Sequence, residues 1–288
     1  MDTDATSSVR ASVRTRVKEL DRAARLRLPP PLWRWAGTIA RIPRLGNEEI
    51  RQTLREEAII ERAIASGSDD AEPIAPPGTS ERVVEVPWVV RRAGRRGGRM
   101  LDVGTAFAPL VYLRALRTLD ATELHSVDRV PVRLENVIAH TADVRALPLP
   151  SRHFDVVACI STLEHIGLDN AAYFEDTSES DEAGDVAALR EIARVLSDDG
   201  VALVTVPAGR AATFPTQRQY SLERWRAVVA LGGLETVEED VFVHAEGVGW
   251  RRAGEGEPGE RTYGEGAPYA AAVICAALQR RAGEPDGA

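Results

Sequence analysis

The sequence predicts an α/β protein: a doubly wound, mostly parallel seven-stranded sheet preceded by a helical N-terminal extension. Three observations predict it. A short apolar strand, Met100-Leu101-Asp102-Val103, runs into a tight turn at Gly104 and then into a helix. About two dozen residues later Asp128 closes a second strand-like run that starts at Glu123, which gives half of a βαβ unit. From there strand-like and helix-like segments alternate, and strands joined by helical crossovers lie parallel in one sheet.

The elements follow in order. Val13, Val17, Leu20 and Ala24 recur at helical spacing and predict an amphipathic helix that stops before Pro29-Pro30-Pro31. Its arginine-rich face reads as solvated, and the apolar patch of Trp33, Trp35, Ile39 and Ile42 is expected to pack under the main domain. Asn47 is placed to cap a helix with Glu48 and Glu49 in its first turn, ending near Ser66-Gly67. A polar, proline-rich linker is expected from Gly67 to Ser80, so that residues 1–80 form an extension and 81–288 the main domain. Within that domain the pattern predicts a helix over Arg82–Arg92, a strand over Met100–Gly104, a helix from Ala108 to Leu119 and a strand over Glu123–Asp128. A short helix near Val130–Asn136 comes next, then strands at Val137–Thr141 and Phe154–Ser161, a helix at Asp185–Leu196 and a strand at Val201–Val206. A helix at Tyr220–Ala230 precedes two last strands, Val237–Val243 and Ala270–Leu278. No helix joins those two, so one of them is expected to run antiparallel.

Composition narrows the functional classes. The 288 residues are 44% hydrophobic, enough for one sizeable core, and the formal charge of −8 argues against a nucleic-acid binder, which needs a basic face. Cys159 and Cys275 both sit in apolar runs and read as buried core thiols, compatible with a reducing cytoplasm. No run of about 18 apolar residues suggests a membrane span, and the first residues lack the basic-then-apolar order of a signal peptide. A cytoplasmic protein is expected, with a homodimer through the N-terminal helices as one way to use the extension.

The turn at Gly104 selects the cofactor. A pyrophosphate dinucleotide asks for G-x-G-x-x-G, but the second and third glycine positions here hold Ala106 and Pro109, and the Ala106 methyl crowds a backbone–phosphate contact. S-adenosylmethionine has no phosphate and needs only the first glycine. An NAD-dependent oxidoreductase is the disfavoured rival.

Taken together, several motifs in order and spacing resemble those of class I S-adenosylmethionine-dependent methyltransferases over about Glu81 to Arg281. Met100 to Ala108 resembles the glycine-rich first motif, and Asp128 matches the acid that binds the ribose hydroxyls. Ala142-Asp143-Val144, ahead of Leu147-Pro148-Leu149-Pro150, resembles the adenine-contacting motif. Phe154 to Ile166 is similar to the fourth strand and its following turn, and Leu189 to Leu196 with Asp198-Asp199-Gly200 to the helix and turn before strand five. The resemblance implies a Rossmann-like methyltransferase fold and a cofactor site made of Asp102, Val103, Gly104, Thr105, Ala106, Asp128, Arg129, Asp143, Val144 and Ser161. Glu85 to Val89, Glu164 to Asn170 and Tyr263 to Pro268 further resemble a bacterial subgroup that modifies sugars and specialised metabolites.

The chemistry so implied is displacement at a sulfonium methyl, where alignment alone supplies on the order of 7–11 kcal/mol. A hydroxyl acceptor must also lose a proton, and His165, directly after strand four, is the candidate base. Glu164 and His165 match part of a metal-binding pattern of methyltransferases that act on RNA 3′ termini, but Ser161 stands where a further glutamate is required. No metal is therefore expected, with Glu164 and Asp169 as weak candidates. Substrate contacts are expected from Tyr173, Arg210, Gln217, His244, Trp250 and Tyr263, an aromatic and polar mixture suited to a polyhydroxylated small molecule. O-methylation is the leading reading, N-methylation of a small amine and a non-catalytic cofactor-binding subunit the alternatives.

Overall fold

The computed structural model describes residues 48–67, 75–169, 181–265 and 269–281. The helix over Val13–Ala24, the Trp33–Ile42 patch and the Asn47 cap lie outside these residues. Helix α1 (Glu48–Ser66) leads to α2 (Arg82–Gly94) and then to β1 (Gly98–Val103). Next come α3 (Leu110–Leu116), β2 (Ala121–Asp128), β3 (Ile138–Thr141) and β4 (Phe154–Ile160). They are followed by α4 (Gly184–Val195), β5 (Leu196–Pro207), the two short strands β6 (Ala212–Thr213) and β7 (Arg218–Gln219), and α5 (Leu222–Leu231). The chain closes with β8 (Leu234–Ala245), β9 (Gly249–Arg252) and β10 (Ala272–Arg280).

Among the described residues the main sheet has eight strands in the order β3-β2-β1-β4-β5-β10-β8-β9, the five from β3 to β5 parallel. The doubly wound α/β class is the observed one. The antiparallel member expected near the C-terminus is β10, which is inserted between β5 and β8 and runs against both. The eighth strand, β9, pairs antiparallel with the end of β8 in the stretch between the two last expected strands, where the sequence pattern predicted no element. Four residues are too few to show a period of two.

Central parallel strands are covered on both faces, so they read as apolar runs rather than alternating ones. Leu101, Val157 and Cys159 face a core completed by Leu189 and Ile192 of α4 and Trp225 of α5. Met100, Val156, Ala158 and Cys275 face the other core, filled by Val83, Val86 and Val89 of α2, Leu110 and Leu113 of α3, and Ile60 of α1. Both cysteines are buried and unpaired, one on each face, and burial pushes each thiol up.

Two expectations change. Residues 130–136 form no helix: Val130 precedes Pro131, which disfavours the α conformation there, and Asn136 adopts a left-handed φ of 62°. Residues 75–80 are more than a linker. Ala75 bridges to Trp250, and Gly249 permits the approach with a φ of 102°, since a Cβ there would stand 1.9 Å from the Ala75 carbonyl oxygen.

Arg218 ties the second half of the sheet to the loops above it. Its guanidinium is buried and donates to the carbonyl oxygens of Ile166 (2.6 Å), Asp181 (3.1 Å), Glu182 (3.3 Å) and Glu164 (3.4 Å), with Asp185 3.7 Å from Nε. Asp185 in turn accepts from the Tyr220 hydroxyl at 3.0 Å. Its donors satisfy backbone acceptors on both ends of the segment after β4. Replacing it with Ala strands those carbonyls and the Asp185 charge, which should cost about 3–5 kcal/mol. Thermal unfolding of Arg218→Ala should accordingly fall by on the order of 10 °C; an unchanged midpoint would show that the staple is not needed.

Candidate active site

Strand order reverses between β1 and β4, and in open α/β sheets ligands bind in the crevice beyond the carboxyl ends of the strands at such a reversal. A cavity of about 480 Å³ lies there, within the range of roughly 300–1,000 Å³ usual for small-molecule sites. Its walls bring together Asp102, Val103 and Gly104 after β1, Asp128 and Arg129 after β2, Asp143 and Val144, and Ser161 and His165 after β4.

Gly104 makes the first turn. Its φ is 85°, and a Cβ there would lie 2.1 Å from Thr162 Oγ1, so both conformation and space require glycine. Its amide donates to the Val127 carbonyl at 2.9 Å, which joins the turn to β2. Thr105 and Ala106 lie behind the wall rather than in it. Thr105 donates its hydroxyl to Asp102 Oδ2 at 2.6 Å, and the Ala106 amide donates to Asp128 Oδ2 at 2.8 Å. The Val130 amide donates to the other Asp128 oxygen at 3.1 Å, so two backbone amides aim that carboxylate. Tyr112 donates to Asp102 Oδ1 at 2.5 Å, completing a buried clamp.

Asp143 is held by Arg145, whose Nε is 3.1 Å from Oδ1 and whose Nη2 is 2.7 Å from Oδ2, while Nη1 reaches Asp181 at 3.0 Å. Burial works to raise the Asp143 pKa, but the hydrogen bonds from Arg145 outweigh it and leave the carboxyl below its ordinary value.

After β4 the backbone is strained. Ser161 has a φ of 38°, uncommon outside glycine, and is held there by its amide on Thr205 and by its hydroxyl, which donates to Glu85 Oε1 at 2.6 Å. Glu85 also accepts from Arg82 at 3.0 Å. Next to them Glu164 is buried, with Oε2 lacking a hydrogen-bond partner. Burial, and the nearby Glu85 carboxylate after it, push Glu164 up to about 8; Glu81 rises to about 7 for the same two reasons.

His165 is three-quarters covered and lines the cavity. Its Nδ1 donates to the Thr216 carbonyl at 2.6 Å, which fixes the tautomer and puts the lone pair on Nε2. Burial lowers its pKa, the Thr216 bond opposes this, and the Arg82 and Arg218 charges add to the lowering. The ring is therefore a neutral base at pH 7.

The other predicted positions divide. Gln217 and Tyr263 come together, Phe214 packing its ring 5.8 Å from that of Tyr263, and burial pushes the Tyr263 hydroxyl up to about 12. Neither Gln217 nor Tyr263 nor Arg210 is among the residues lining the cavity, and Arg210 is exposed. His244 and Trp250 are corrected from substrate contacts to core. Trp250 donates Nε1 to the Thr79 carbonyl at 3.0 Å, and His244 Nε2 accepts from the Gly78 amide at 3.3 Å, so both anchor residues 75–80. Tyr173 lies outside the described residues. Glu164 and Asp169 are not part of any group of three metal-ligating side chains among the described residues; Glu164 faces Glu85 and Arg82, and Asp169 is exposed.

Sequence reasoning missed Arg82, Tyr112, Arg145 and Thr162 as cavity residues. Arg145 was within reach, because an Asp and an Arg two apart beside a turn often pair. Tyr112 looked like any apolar face of a helix.

A methyltransferase-domain family matches residues 84–238, more than half of the chain. No curated protein sequence matches. Among solved structures the chain is similar to the 1,6-didemethyltoxoflavin-N1-methyltransferase of Burkholderia thailandensis, solved with S-adenosylhomocysteine bound (14% identity, 79% of this chain and 90% of that one, TM-score 0.44). It is also similar to the YcgJ protein of Bacillus subtilis (17%, 68% and 98%, TM-score 0.44) and to the PH0226 protein of Pyrococcus horikoshii (12%, 69% and 90%, TM-score 0.43). The cavity suits that family's cofactor, with a turn that admits no side chain at Gly104 and two carboxylates, Asp128 and Asp143, in its wall. The chain belongs to the methyltransferase-domain family, and its methyl donor is S-adenosylmethionine.

Proposed function

We propose that the protein methylates a hydroxyl of a small polyhydroxylated molecule, a sugar, glycoside or specialised metabolite of bacterial type, with His165 as the general base. The observation that carries this reading is the His165 ring, whose tautomer is fixed by the Thr216 carbonyl and whose neutral Nε2 shares one cavity with Asp128 and Asp143. When bound, S-adenosylmethionine supplies an electrophilic methyl group. Asp128 would hold the ribose hydroxyls, Asp143 and the Val144 amide the adenine, and the Gly104 turn with Asp102 the methionine end. His165 takes the acceptor's proton as the oxygen becomes bonded to carbon, and Gln217 and Tyr263 are the side chains offered to the acceptor's other hydroxyls. Residues 81–288 form the catalytic domain in this reading, with 1–80 as an accessory extension.

One observation favours a second reading. Glu81, Glu85 and Glu164 face a single arginine, Arg82, next to His165. A surplus of carboxyl groups attracts a small amine and can take its proton, and the neutral nitrogen so formed is the nucleophile that N-methylation requires. A panel of labelled acceptors decides: an O-methyl product supports the first reading and an N-methyl product replaces it. Binding of the donor with no product from either class would leave a non-catalytic subunit.

Removing the Asp128 carboxylate leaves the ribose hydroxyls without their acceptor, a loss of about 1–3 kcal/mol. Calorimetry should therefore show Asp128→Ala binding the donor at least several-fold more weakly, and Gly104→Ala, where the new methyl meets Thr162, should bind it no better. Wild-type affinity in both would move the donor site elsewhere. His165→Ala should lower kcat by about 10²–10⁴-fold with donor affinity nearly unchanged.

The base acts only when neutral and its pKa is depressed, so kcat/KM should be flat above pH 7 and fall only below the ordinary imidazole range. An acidic limb centred above pH 7 would exclude His165 as the base.

A further inference from the structure

We propose that Glu123, His125 and His153 form a binding site for a divalent transition metal of the zinc class, at the end of the sheet away from the cavity. Three of the chain's five histidines, His125, His140 and His153, gather here. Glu123 and His125 share one face of β2, five and three residues before Asp128, and His153 immediately precedes β4. Nothing in the methyl-transfer chemistry uses them.

The donor atoms of Glu123, His125 and His153 all lie within 4.8 Å of one another. Nε2 of His125 is 3.4 Å, and Nε2 of His153 3.9 Å, from the same Glu123 oxygen. In a tetrahedral zinc shell with bonds of about 2.0–2.2 Å, ligand atoms stand roughly 3.3–3.6 Å apart, so only small movements close this set around an ion. Two imidazoles and one carboxylate leave the fourth position to water, and the mixed nitrogen–oxygen set suits zinc rather than calcium or magnesium.

The surroundings orient the ligands. His125 Nδ1 is 3.0 Å from His140 Nε2, and a proton shared there, carried on Nδ1 of His125, leaves its Nε2 as a metal donor. Both His125 and His153 pack edge-on against the buried Phe154, with centroids at 5.1 and 4.9 Å, which ties their ring planes to the core. Glu123 is half exposed and His153 a quarter exposed, so an ion reaches the site from solvent. Arg99 Nη1 stands 3.4 Å from His153 Nδ1. Coordination through Nε2 moves the His153 proton to Nδ1, and Arg99 must then turn away.

The test uses the full chain, freed of metal by a chelator and titrated with zinc chloride in a calorimeter. One zinc per chain is expected to bind saturably, with a rise in the thermal midpoint. Glu123→Gln and His153→Ala, both at partly exposed positions, should each weaken binding by about tenfold or more. His165→Ala should leave zinc binding intact, and the zinc-loaded wild type should bind S-adenosylmethionine as the metal-free protein does. Absence of saturable zinc binding overturns the proposal, as does binding that both Glu123→Gln and His153→Ala leave unchanged, or that His165→Ala abolishes.

Discussion

The site depends on one constraint: the chain must reverse direction after β1 with a left-handed residue pressed against Thr162. Only glycine meets both conditions at position 104. Because the turn is this tight, the Gly104 amide reaches the Val127 carbonyl and the Ala106 amide reaches Asp128. The ends of β1 and β2 are thereby locked side by side, with Asp128 at the cavity and Asp102 clamped below it by Thr105 and Tyr112. A looser turn would leave the two carboxylates without a common frame. Preorganisation of this kind lets alignment contribute to the rate, since the geometry is set before any ligand arrives.

The opposite wall is built differently. Among the described residues of the segment after β4 the short turn at Leu163–His165 is the regular structure, and carbonyls at both ends of the segment are satisfied by the buried Arg218 rather than by a ladder. The result is a positively charged staple directly behind the His165 ring. Arg218 and Arg82 both help keep His165 neutral, while Glu164 and Glu81, starved of water, are pushed toward their protonated forms. Charge is thus distributed so that the imidazole is held neutral and its carboxyl neighbours are reluctant to lose their protons. The strained Ser161 sits between these groups, bonded to Glu85, where the cost of a left-handed serine is met by two backbone-side contacts to Thr205.

Much of this was legible in the chain. The apolar run ending at Asp102, the single turn glycine and the later Asp128 define a strand–turn–helix–strand unit because backbone sterics leave few alternatives. Asp143 and Val144 were readable only through the resemblance of Ala142-Asp143-Val144 to an adenine-contacting motif. What escaped depended on distance. Trp250 and His244 looked like a ligand-facing aromatic pair, and only the pairing of β9 with β8 and of Ala75 with Trp250 shows that they close the core. Arg218 and Arg210 are indistinguishable in sequence, yet one is buried on four carbonyls and the other exposed. The short helix expected after Asp128 failed on a local signal that was present, the proline at position 131. Nor did the sequence pattern single out His125, His140 and His153, which are 15 and 13 residues apart and meet only when β2, β3 and β4 assemble.

A crystal structure of the chain grown with S-adenosylhomocysteine tests the central claim most directly. The account predicts the adenosyl group in the crevice between the ends of β1 and β4, its ribose on Asp128, its adenine beside Asp143, and His165 Nε2 facing the open side of the sulfur. Density for the nucleoside elsewhere on the protein, or a ribose whose hydroxyls do not meet Asp128, would contradict it.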